Sequence, residues 1–414
     1  MKRVKIKDIF HTNAKTIKSS KYDFINYLDT SSITENHING VQKLYLKADK
    51  IPSRAQRLID KNTIVYSSVR PNLKHYGIIK KPLENMVVST GFITLDIKDK
   101  TQNDANYMYY NLTQNKYTNY LHTIAVNSVS AYPSINPSDL ENMEIKIHTD
   151  IKEQQKIGRI LSSIDDKIAI NNQINAILER VAKAIYEYYF VQFDFPDKQG
   201  KPYKSSGGAM RFDSTLNRPI PKDFEVILLK EMCDIESGYP FSTDDYANNG
   251  KYKIITIKNV LNNYISSDTD NTIDFIPKNM PNYCSLKIGD ILLSLTGNVG
   301  RVGIVFENNL LLNQRVGLLK LKNQNYRSFV YLTFLQQHFK QILENIATGS
   351  NQKNLSPIET EKLPILFSQE TIKEFESITK PLLDKIINNH TENQKLKNLR
   401  DFLLPILINA QVQI

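Results

Sequence analysis

The sequence predicts an α+β fold: two mixed α/β domains separated by two long antiparallel coiled-coil helices, arranged as a pseudo-twofold internal repeat. Short runs of β-branched and aromatic residues, punctuated by Gly, Asn, Asp and Pro, occupy the first part of each half of the chain. Apolar residues at alternating steps of four and three then follow in each half, which is the pattern of a coiled-coil seam. Both patterns occur twice in the same order.

The repeat is visible as short matches between the two halves of the chain. Four matches keep their order: 62–67 with 289–294, 76–79 with 302–305, 134–137 with 354–357, and 166–168 with 384–386. The offset between the matched segments shrinks slowly along the chain, as small insertions and deletions would cause. One such match is expected by chance, whereas four in register indicate a duplicated unit.

Asparagine interrupts the apolar seam of both long helices at equivalent positions. We assign seven residues to helix pairing: Ile157, Leu161, Ile164, Ile168, Asn171, Asn389 and Leu396. Asn175 continues the first seam, and the repeat places Asn393 on the second. An unpaired buried amide is costly, so we hypothesise that the four amides meet and fix the register of the pair. The alternative is that the helix turns its seam and exposes them. Pro381 lies within the second pattern and either belongs to a first turn or kinks the helix.

Composition excludes several classes of protein. The formal net charge is +10, and the excess of Lys and Arg falls mostly in the first third of the chain, as in a phosphate-facing surface or a solvated lysine-rich one. The sequence has no apolar stretch typical of a signal peptide or a membrane span. Cys233 and Cys284 lack the spacing of a zinc site or a disulfide framework. We therefore expect a cytoplasmic protein with two buried thiols.

The patterns divide the chain into five segments. These are a first domain (1–149), a long helix (150–192), a linker (193–223), a second domain (224–366) and a C-terminal long helix (367–414). The linker is rich in Gly, Pro and Ser, which predicts a surface connector.

The linker and the start of the first helix carry a family resemblance. The stretch FVQFDFPDKQGKPYKSSGGAM (190–210) and the following RPIPKDFEV (218–226) look like the connector in specificity subunits of type I restriction-modification enzymes. EQQKI (153–157) with IDDKI (164–168) resembles the start of their central conserved helix. The arrangement of the whole chain is similar to that family: target-recognition domain, helix, target-recognition domain, helix.

The resemblance implies a function without catalysis by this chain. Each recognition domain would enter the DNA major groove, and the two helices would set the distance between them. The target is then double-stranded DNA with two specific halves and a nonspecific spacer. Two methyltransferase subunits and two motor-nuclease restriction subunits would dock on the chain. Those partners, and not this chain, would bind S-adenosylmethionine, ATP and Mg²⁺.

Base reading needs bidentate donors and acceptors on loops that reach the groove. The candidates of the first domain are Ser67, Arg70, Asn72, Lys74 and Tyr76. Those of the second are Thr296, Asn298, Arg301, Gln314, Arg315, Asn351, Gln352 and Lys353. The alternative is that these segments are ordinary polar hairpin turns.

Two other functions would require different sequence features. A single-chain restriction-modification enzyme would need a glycine-rich cofactor loop and a catalytic motif; Gly297, Gly300 and Gly303 are not followed by Lys-Ser/Thr and fit strand turns better. No histidine spacing suggests a metal site. An antiparallel coiled-coil scaffold that binds proteins would not need duplicated β-rich domains with basic loops.

Overall fold

The computed structural model describes residues 1–17, 22–128, 132–349 and 352–411. The chain forms two compact units, the first comprising Met1–Ala169 and Lys395–Ile414 and the second Ile170–Gln394. The five segments predicted from the sequence follow chain order. The two units instead reflect packing, because each combines one β-rich domain with parts of both long helices.

The described residues of the first unit form four small sheets. Its strands are β1 (Lys2–Lys5), β2 (Phe10–Thr12), β3 (Phe24–Leu28), β4 (Ile33–Thr34), β5 (His37–Ile38), β6 (Gln42–Tyr45), β7 (Ala55–Leu58), β8 (Thr63–Ser67), β9 (Tyr76–Ile79), β10 (Met86–Ser89), β11 (Phe92–Ile97) and β12 (Glu144–Ile147). The sheet orders are β6-β3-β10-β7, β2-β11-β8-β9, β1-β12 and β4-β5. Only β3 and β10 pair in parallel among these described strands.

Helices cover the β2-β11-β8-β9 sheet of the first unit. They are α1 (Ile6–Ile9), α2 (Ala105–Leu112), α3 (Asn115–Val126), α4 (Pro137–Glu141) and the first long helix α5 (Ile151–Tyr186). Tyr66 from β8, Tyr107 from α2, Leu121 from α3 and Ile157 from α5 belong to one buried cluster. Apolar burial between the sheet and the helices therefore positions the β8–β9 hairpin.

The second unit has the same plan. Its strands are β13 (Met210–Asp213), β14 (Arg218–Pro221), β15 (Glu225–Leu228), β16 (Cys233–Ser237), β17 (Tyr252–Ile255), β18 (Asn263–Tyr264), β19 (Thr272–Ile273), β20 (Ile291–Ser294), β21 (Val302–Ile304), β22 (Leu310–Leu312), β23 (Val316–Leu321) and β24 (Pro364–Phe367). Its helices are α6 (Arg327–Phe334), α7 (Gln337–Ile346), α8 (Pro357–Glu361) and the second long helix α9 (Gln369–Ile408).

Strand pairing reproduces the repeat seen in the sequence. The order β2-β11-β8-β9 of the first unit returns as β16-β23-β20-β21, with β18 added at one edge. The parallel pair of β3 and β10 returns as the parallel pair of β17 and β22. β1 pairs with β12 as β15 pairs with β24. The internal repeat is therefore confirmed at the level of topology.

In both units a carboxylate accepts a hydrogen bond from a backbone N–H in the first turn of equivalent helices, but the carboxylate comes from different positions in the chain. In the first unit, Asp104 caps α2 by accepting a hydrogen bond from the backbone N–H of Tyr107 at 2.9 Å. A Cβ on Gly158 of α5 would lie 2.6 Å from that carboxylate, so glycine makes room for it. In the second unit Glu376 takes the position of Gly158, and its Oε1 accepts from the backbone N–H of Phe329 at 2.8 Å. An acceptor thus reaches the third residue of the helix in both units, which satisfies an otherwise unpaired donor.

The Gly/Pro/Ser-rich stretch of the linker lies mostly at the surface, as predicted, whereas aromatic residues before and after it pack into the second unit. Phe193 and Phe195 are buried in the main cluster of that unit, together with Phe224. The rings of Phe195 and Phe224 stack with centroids 5.4 Å apart. β13 and β14 form a hairpin within the same segment. The aromatic side chains attach the exposed connector to the second unit, because each buried ring removes a large apolar area from water.

The predicted apolar seam residues of the first unit differ in their burial. Ile157 and Leu161 are fully buried and Ile164 nearly so, whereas Ile168 and Leu396 are half-buried. Pro381 lies on the exposed side of α9, and the helix continues through it. None of the helices in the described part of the chain is long and apolar enough to cross a membrane.

The four seam asparagines are buried and meet inside the second unit. Asn171 donates to the Asn393 side chain at 2.9 Å, and Asn389 donates to the Asn175 side chain at 2.8 Å. As the residue number rises along α5, that of its partner falls along α9, so the paired segments run antiparallel. All four are at most 5% exposed, and the alternative in which they face solvent is wrong.

Candidate nucleic-acid interface

The β8–β9 loop of the first unit is held by a second segment of the chain. The backbone N–H of Arg70 donates to the carbonyl of Pro133 at 2.9 Å, and that of Ile135 donates to the carbonyl of Ser68 at 2.8 Å. The loop therefore has a defined backbone, although it projects beyond the ends of its strands. A rigid support of this kind is what precise base reading requires.

The β20–β21 loop of the second unit has the same support. The backbone N–H of Gly297 donates to the carbonyl of Lys353 at 2.9 Å, and that of Leu355 donates to the carbonyl of Leu295 at 2.7 Å. These residues occupy the repeat positions of the pairs described for the first unit. The two loops thus share a backbone frame and differ in the side chains mounted on it.

Two positions in each loop have a left-handed backbone. Arg70 and Lys74 have φ of 47° and 55°, and their repeat partners Gly297 and Gly300 have φ of 73° and 77°. Glycine adopts this conformation freely, whereas a residue with a Cβ loses about 1–2 kcal/mol there. The first loop therefore carries two basic side chains at the expense of backbone strain, which the glycines of the second loop avoid. Strain of this kind is concentrated at functional sites.

The basic side chains of the first loop differ in their environment. Lys74 Nζ lies 2.8 Å from Glu35 Oε1. Burial is the largest single influence and would raise the pKa of Glu35, but the hydrogen bond from Lys74 and the positive charges of Lys74, Arg400 and Lys397 together lower the pKa. The Arg70 guanidinium lies 5.7 Å from the centre of the Tyr132 ring and forms no ion pair with any described residue. Arg70 is thus the cation of this loop that remains available to a phosphate or a base edge.

The second unit presents its own set of unpaired polar groups. Gln314 and Arg315 are exposed between β22 and β23, and the Leu295 backbone N–H donates to the Arg315 carbonyl at 3.1 Å. Neither Arg315 nor the half-buried Arg301 forms an ion pair within the part of the chain that the structure describes. Lys353 instead donates from Nζ to the Glu344 carbonyl at 3.0 Å. Together these groups form a polar surface around the β20–β21 loop.

Comparison with known proteins decides the family. The model of the type I restriction modification DNA specificity domain matches residues 1–180 and, separately, residues 221–398. The chain belongs to this family. It therefore carries two DNA specificity domains, and its function is sequence recognition within a type I restriction-modification system.

Relatives and solved structures agree with this assignment. The chain is 23% identical to the type I restriction enzyme HindI specificity subunit of Haemophilus influenzae, over 99% of each protein. It is 26% identical to the MjaIX specificity subunit of Methanocaldococcus jannaschii, over 99% of this chain and 93% of that one. The crystal structure of a type I S subunit from M. genitalium covers 98% of this chain and 96% of its own, with a TM-score of 0.60 and 18% identity. That last likeness shows the fold.

Three predicted contact residues of the specificity domains are corrected by their burial. Ser67 is 1% exposed and donates to the Val69 carbonyl at 2.9 Å. Tyr76 is 5% exposed, and Thr296 is 7% exposed and donates to the Asn354 side chain at 3.0 Å. These side chains shape the loops and do not present a group to a DNA groove. A place next to a turn predicts access to a DNA groove, but it does not reveal on which side of the strand a side chain lies.

The other candidates keep an accessible position or lie outside the described residues. Exposed side chains are Arg70, Asn72, Asn298, Gln314, Arg315, Gln352 and Lys353, and half-buried ones are Lys74 and Arg301. Asn351 lies outside the described residues. Within the described ranges, no cluster of His, Cys, Asp and Glu could hold a metal ion.

Sequence reasoning missed the segments that support the two loops. Pro133 and Ile135 in the first domain, and Lys353 and Leu355 in the second, fix the loops through backbone hydrogen bonds. A signal was present, because 134–137 and 354–357 are one of the four repeat matches. A match between segments far from the loops indicated a shared structural role that only the fold could reveal.

Proposed function

We propose that the two DNA specificity domains read the two halves of a bipartite target, one half with each supported loop. The observation that carries this is the shared backbone frame with different side chains. Arg70 and Lys74 stand in the first loop where Gly297 and Gly300 stand in the second. Equal frames place two reading loops in the same way within their domains, and unequal side chains select different bases.

The long helices suit the role of a spacer between the two half-site readers. α5 and α9 each contribute residues to both units, and their buried amides oppose any slip in register, because a slip would leave them unpaired. We propose that they also form the surface on which two methyltransferase subunits dock, with two restriction subunits joining the complex. The specific halves of the target are then separated by a nonspecific spacer.

Chemistry in the complex is proposed to belong to the partners. The methyltransferase subunits would bind S-adenosylmethionine and modify adenine at N6, and the restriction subunits would use ATP and Mg²⁺. The specificity chain contributes recognition and no catalytic group. Because its target is the DNA of the cell that it protects, we place the complex in the cytoplasm.

Arg70→Gly tests the reading role of the first loop. Glycine occupies the equivalent position of the second loop, so the substitution removes the guanidinium without disturbing the backbone. We expect affinity of the chain with its methyltransferase partner for the cognate duplex to fall about 5- to 150-fold, which corresponds to about 1–3 kcal/mol. The free energy of unfolding should not fall, because strain is relieved.

Asn62→Gly is the matched control. Asn62 also has a positive φ of 69°, its repeat partner is Gly289, and it lies at the opposite end of the β8–β9 hairpin. We expect this variant to bind the duplex like the wild type. N6-methyladenine mapping in a host carrying the complex gives the second readout: the wild type should produce one two-part motif, and Arg70→Gly should relax one base of it. Equal losses of affinity in both variants, or no two-part motif, would overturn the proposal.

A further inference from the structure

A cavity opens in the first unit between the β8–β9 loop and the end of α9. Its volume is about 310 Å³, and its wall includes Tyr76, Tyr109 and Tyr110. Sites for small molecules begin at about this size. The cavity is therefore large enough for one small ligand, and it is separate from the exposed tip of the loop.

Two tyrosine hydroxyls on the cavity wall lack a partner. Tyr76 and Tyr109 are 5% and 4% exposed, and neither hydroxyl forms a hydrogen bond with any described residue. Burial raises the pKa of both phenols far above the ordinary range, so both keep their protons. In the second unit the repeat partner of Tyr109 is Tyr331, whose hydroxyl donates to the Asn263 carbonyl at 2.9 Å. The first unit thus leaves the Tyr109 hydroxyl on the cavity wall without a partner among the described residues, so it is free to donate a hydrogen bond to a ligand.

The duplicated unit shows that the fold does not require this cavity. Tyr110, Arg400 and Leu404 line it in the first unit. Their repeat partners in the second unit are Leu332, Ala182 and Tyr186. Leu332 and Ala182 line a space of only about 10 Å³, and the Tyr186 ring is packed against neighbouring aromatic rings. The equivalent space is therefore filled by side chains in the second unit, whereas in the first unit it is open and polar.

The mouth of the cavity has a cationic end. Glu35 pairs with Lys74, and Arg400 pairs with both Asp165 and Asp401, so neither Lys74 nor Arg400 is a free cation. Lys116 is different, because its Nζ donates to the neutral side chain of Asn409 at 3.2 Å and forms no ion pair with a described residue.

Lys116 also lies in the first turn of α3. The first turn of this 12-residue helix contains no acidic residue and no side-chain cap. The Gln114 side chain, which precedes the helix, bonds instead to the Asn111 carbonyl at 3.0 Å. Free N–H groups and a lysine at a helix start favour an anion.

We propose that this cavity binds a free nucleoside monophosphate. The planar, heteroatom-bearing base would lie toward Tyr76 and Tyr109, whose hydroxyls donate to it. The phosphate would lie at the start of α3 beside Lys116. Lys74 of the β8–β9 loop also lines the cavity, but the proposed ligand contacts are Tyr76, Tyr109 and Lys116. AMP binding is therefore tested separately from DNA reading by Arg70.

Calorimetric titration of the full chain with AMP, adenosine and inorganic phosphate tests the site. AMP should bind with one-to-one stoichiometry and at least tenfold more tightly than adenosine or phosphate alone. Tyr109→Phe should weaken AMP about 2- to 10-fold, the effect of one hydrogen bond, and Lys116→Gln should weaken it about tenfold or more, because the bond involves a charge. Tyr331→Phe is the matched control and should leave binding unchanged. Leu404→Tyr, which copies the filled unit, should abolish it.

Three results would overturn the inference. The first is no binding of AMP at millimolar concentration by a chain whose melting curve is that of a folded protein. The second is an equal effect of Tyr109→Phe and Tyr331→Phe. The third is that Tyr109→Phe weakens binding of a 5′-phosphorylated oligonucleotide but not of AMP. The cavity would then bind DNA and not a free ligand.

Discussion

The buried amide pair of Asn175 and Asn389 offers a direct test of how the long helices are held together. Asn389 Nδ2 donates to Asn175 Oδ1 at 2.8 Å, and both side chains are at most 3% exposed. The other two amide atoms, Asn175 Nδ2 and Asn389 Oδ1, have no partner among the described residues. The pair is therefore half satisfied, and it does not contribute to stability as an apolar pair would.

Single and double substitutions should have opposite effects. Asn389→Leu leaves the whole Asn175 amide buried without a partner, which costs about 1–3 kcal/mol. Asn175→Leu does the same to Asn389. The double variant removes all four amide atoms, including the two that are unpaired in the wild type, and buries apolar surface instead. It should be at least as stable as the wild type, so the coupling energy of the cycle should reach about 2 kcal/mol or more.

Urea unfolding followed by circular dichroism measures the four free energies. Asn388→Leu is the control, because Asn388 is the exposed neighbour of Asn389 on the same helix, and its effect should stay within about 0.5 kcal/mol. A double variant that loses the sum of the two single losses would refute the reasoning, since the amides would then act independently. That result would also contradict the hypothesis that the amides fix the register of the two helices.

Three further predictions concern buried charged and thiol groups. Arg400→Ala should lower the free energy of unfolding by about 3–5 kcal/mol, because Asp165 is left buried without the guanidinium now 3.0 Å away; adding Asp165→Leu should restore most of it in urea titrations. Burial raises the pKa of Glu376 above 4.5, so the wild type should lose stability relative to Glu376→Gln as pH rises above that value, and a pH-independent difference between their melting temperatures would contradict this. Burial raises the pKa of Cys233 to about 12 and also raises that of Cys284, so iodoacetamide at neutral pH should label both thiols in urea and neither in the native chain, as mass spectrometry would show.

Features that depend on periodicity were accessible from the sequence. The β-branched runs, the helical spacing and the duplicated order all reflect local chain geometry, which repeats every two or every three to four residues. The positions of Asn171 and Asn389 on an apolar seam were readable for the same reason. Their burial followed because one face of such a helix must leave water.

Features that depend on which distant residue completes a contact could not be predicted from the sequence. Ser67 and Tyr76 border a turn, yet the sheet turns them inward, and Phe193 lies in a turn-rich linker, yet packs into a core. The sequence alone does not explain why Gly158 and Glu376 occupy equivalent positions. The reason is the neighbouring helix start, which is capped by Asp104 in the first unit and by Glu376 itself in the second.

The sequence by itself determined the two domains, the paired helices and the family, because these follow from local periodicity, a repeat and a recognisable connector. Tertiary structure alone decided which polar side chains remain accessible and where a cavity stays open. The open cavity brings Arg400 beside Tyr110, two residues far apart in the chain. Burial and pairing are set by long-range packing, and no local pattern records which distant residue will complete a contact.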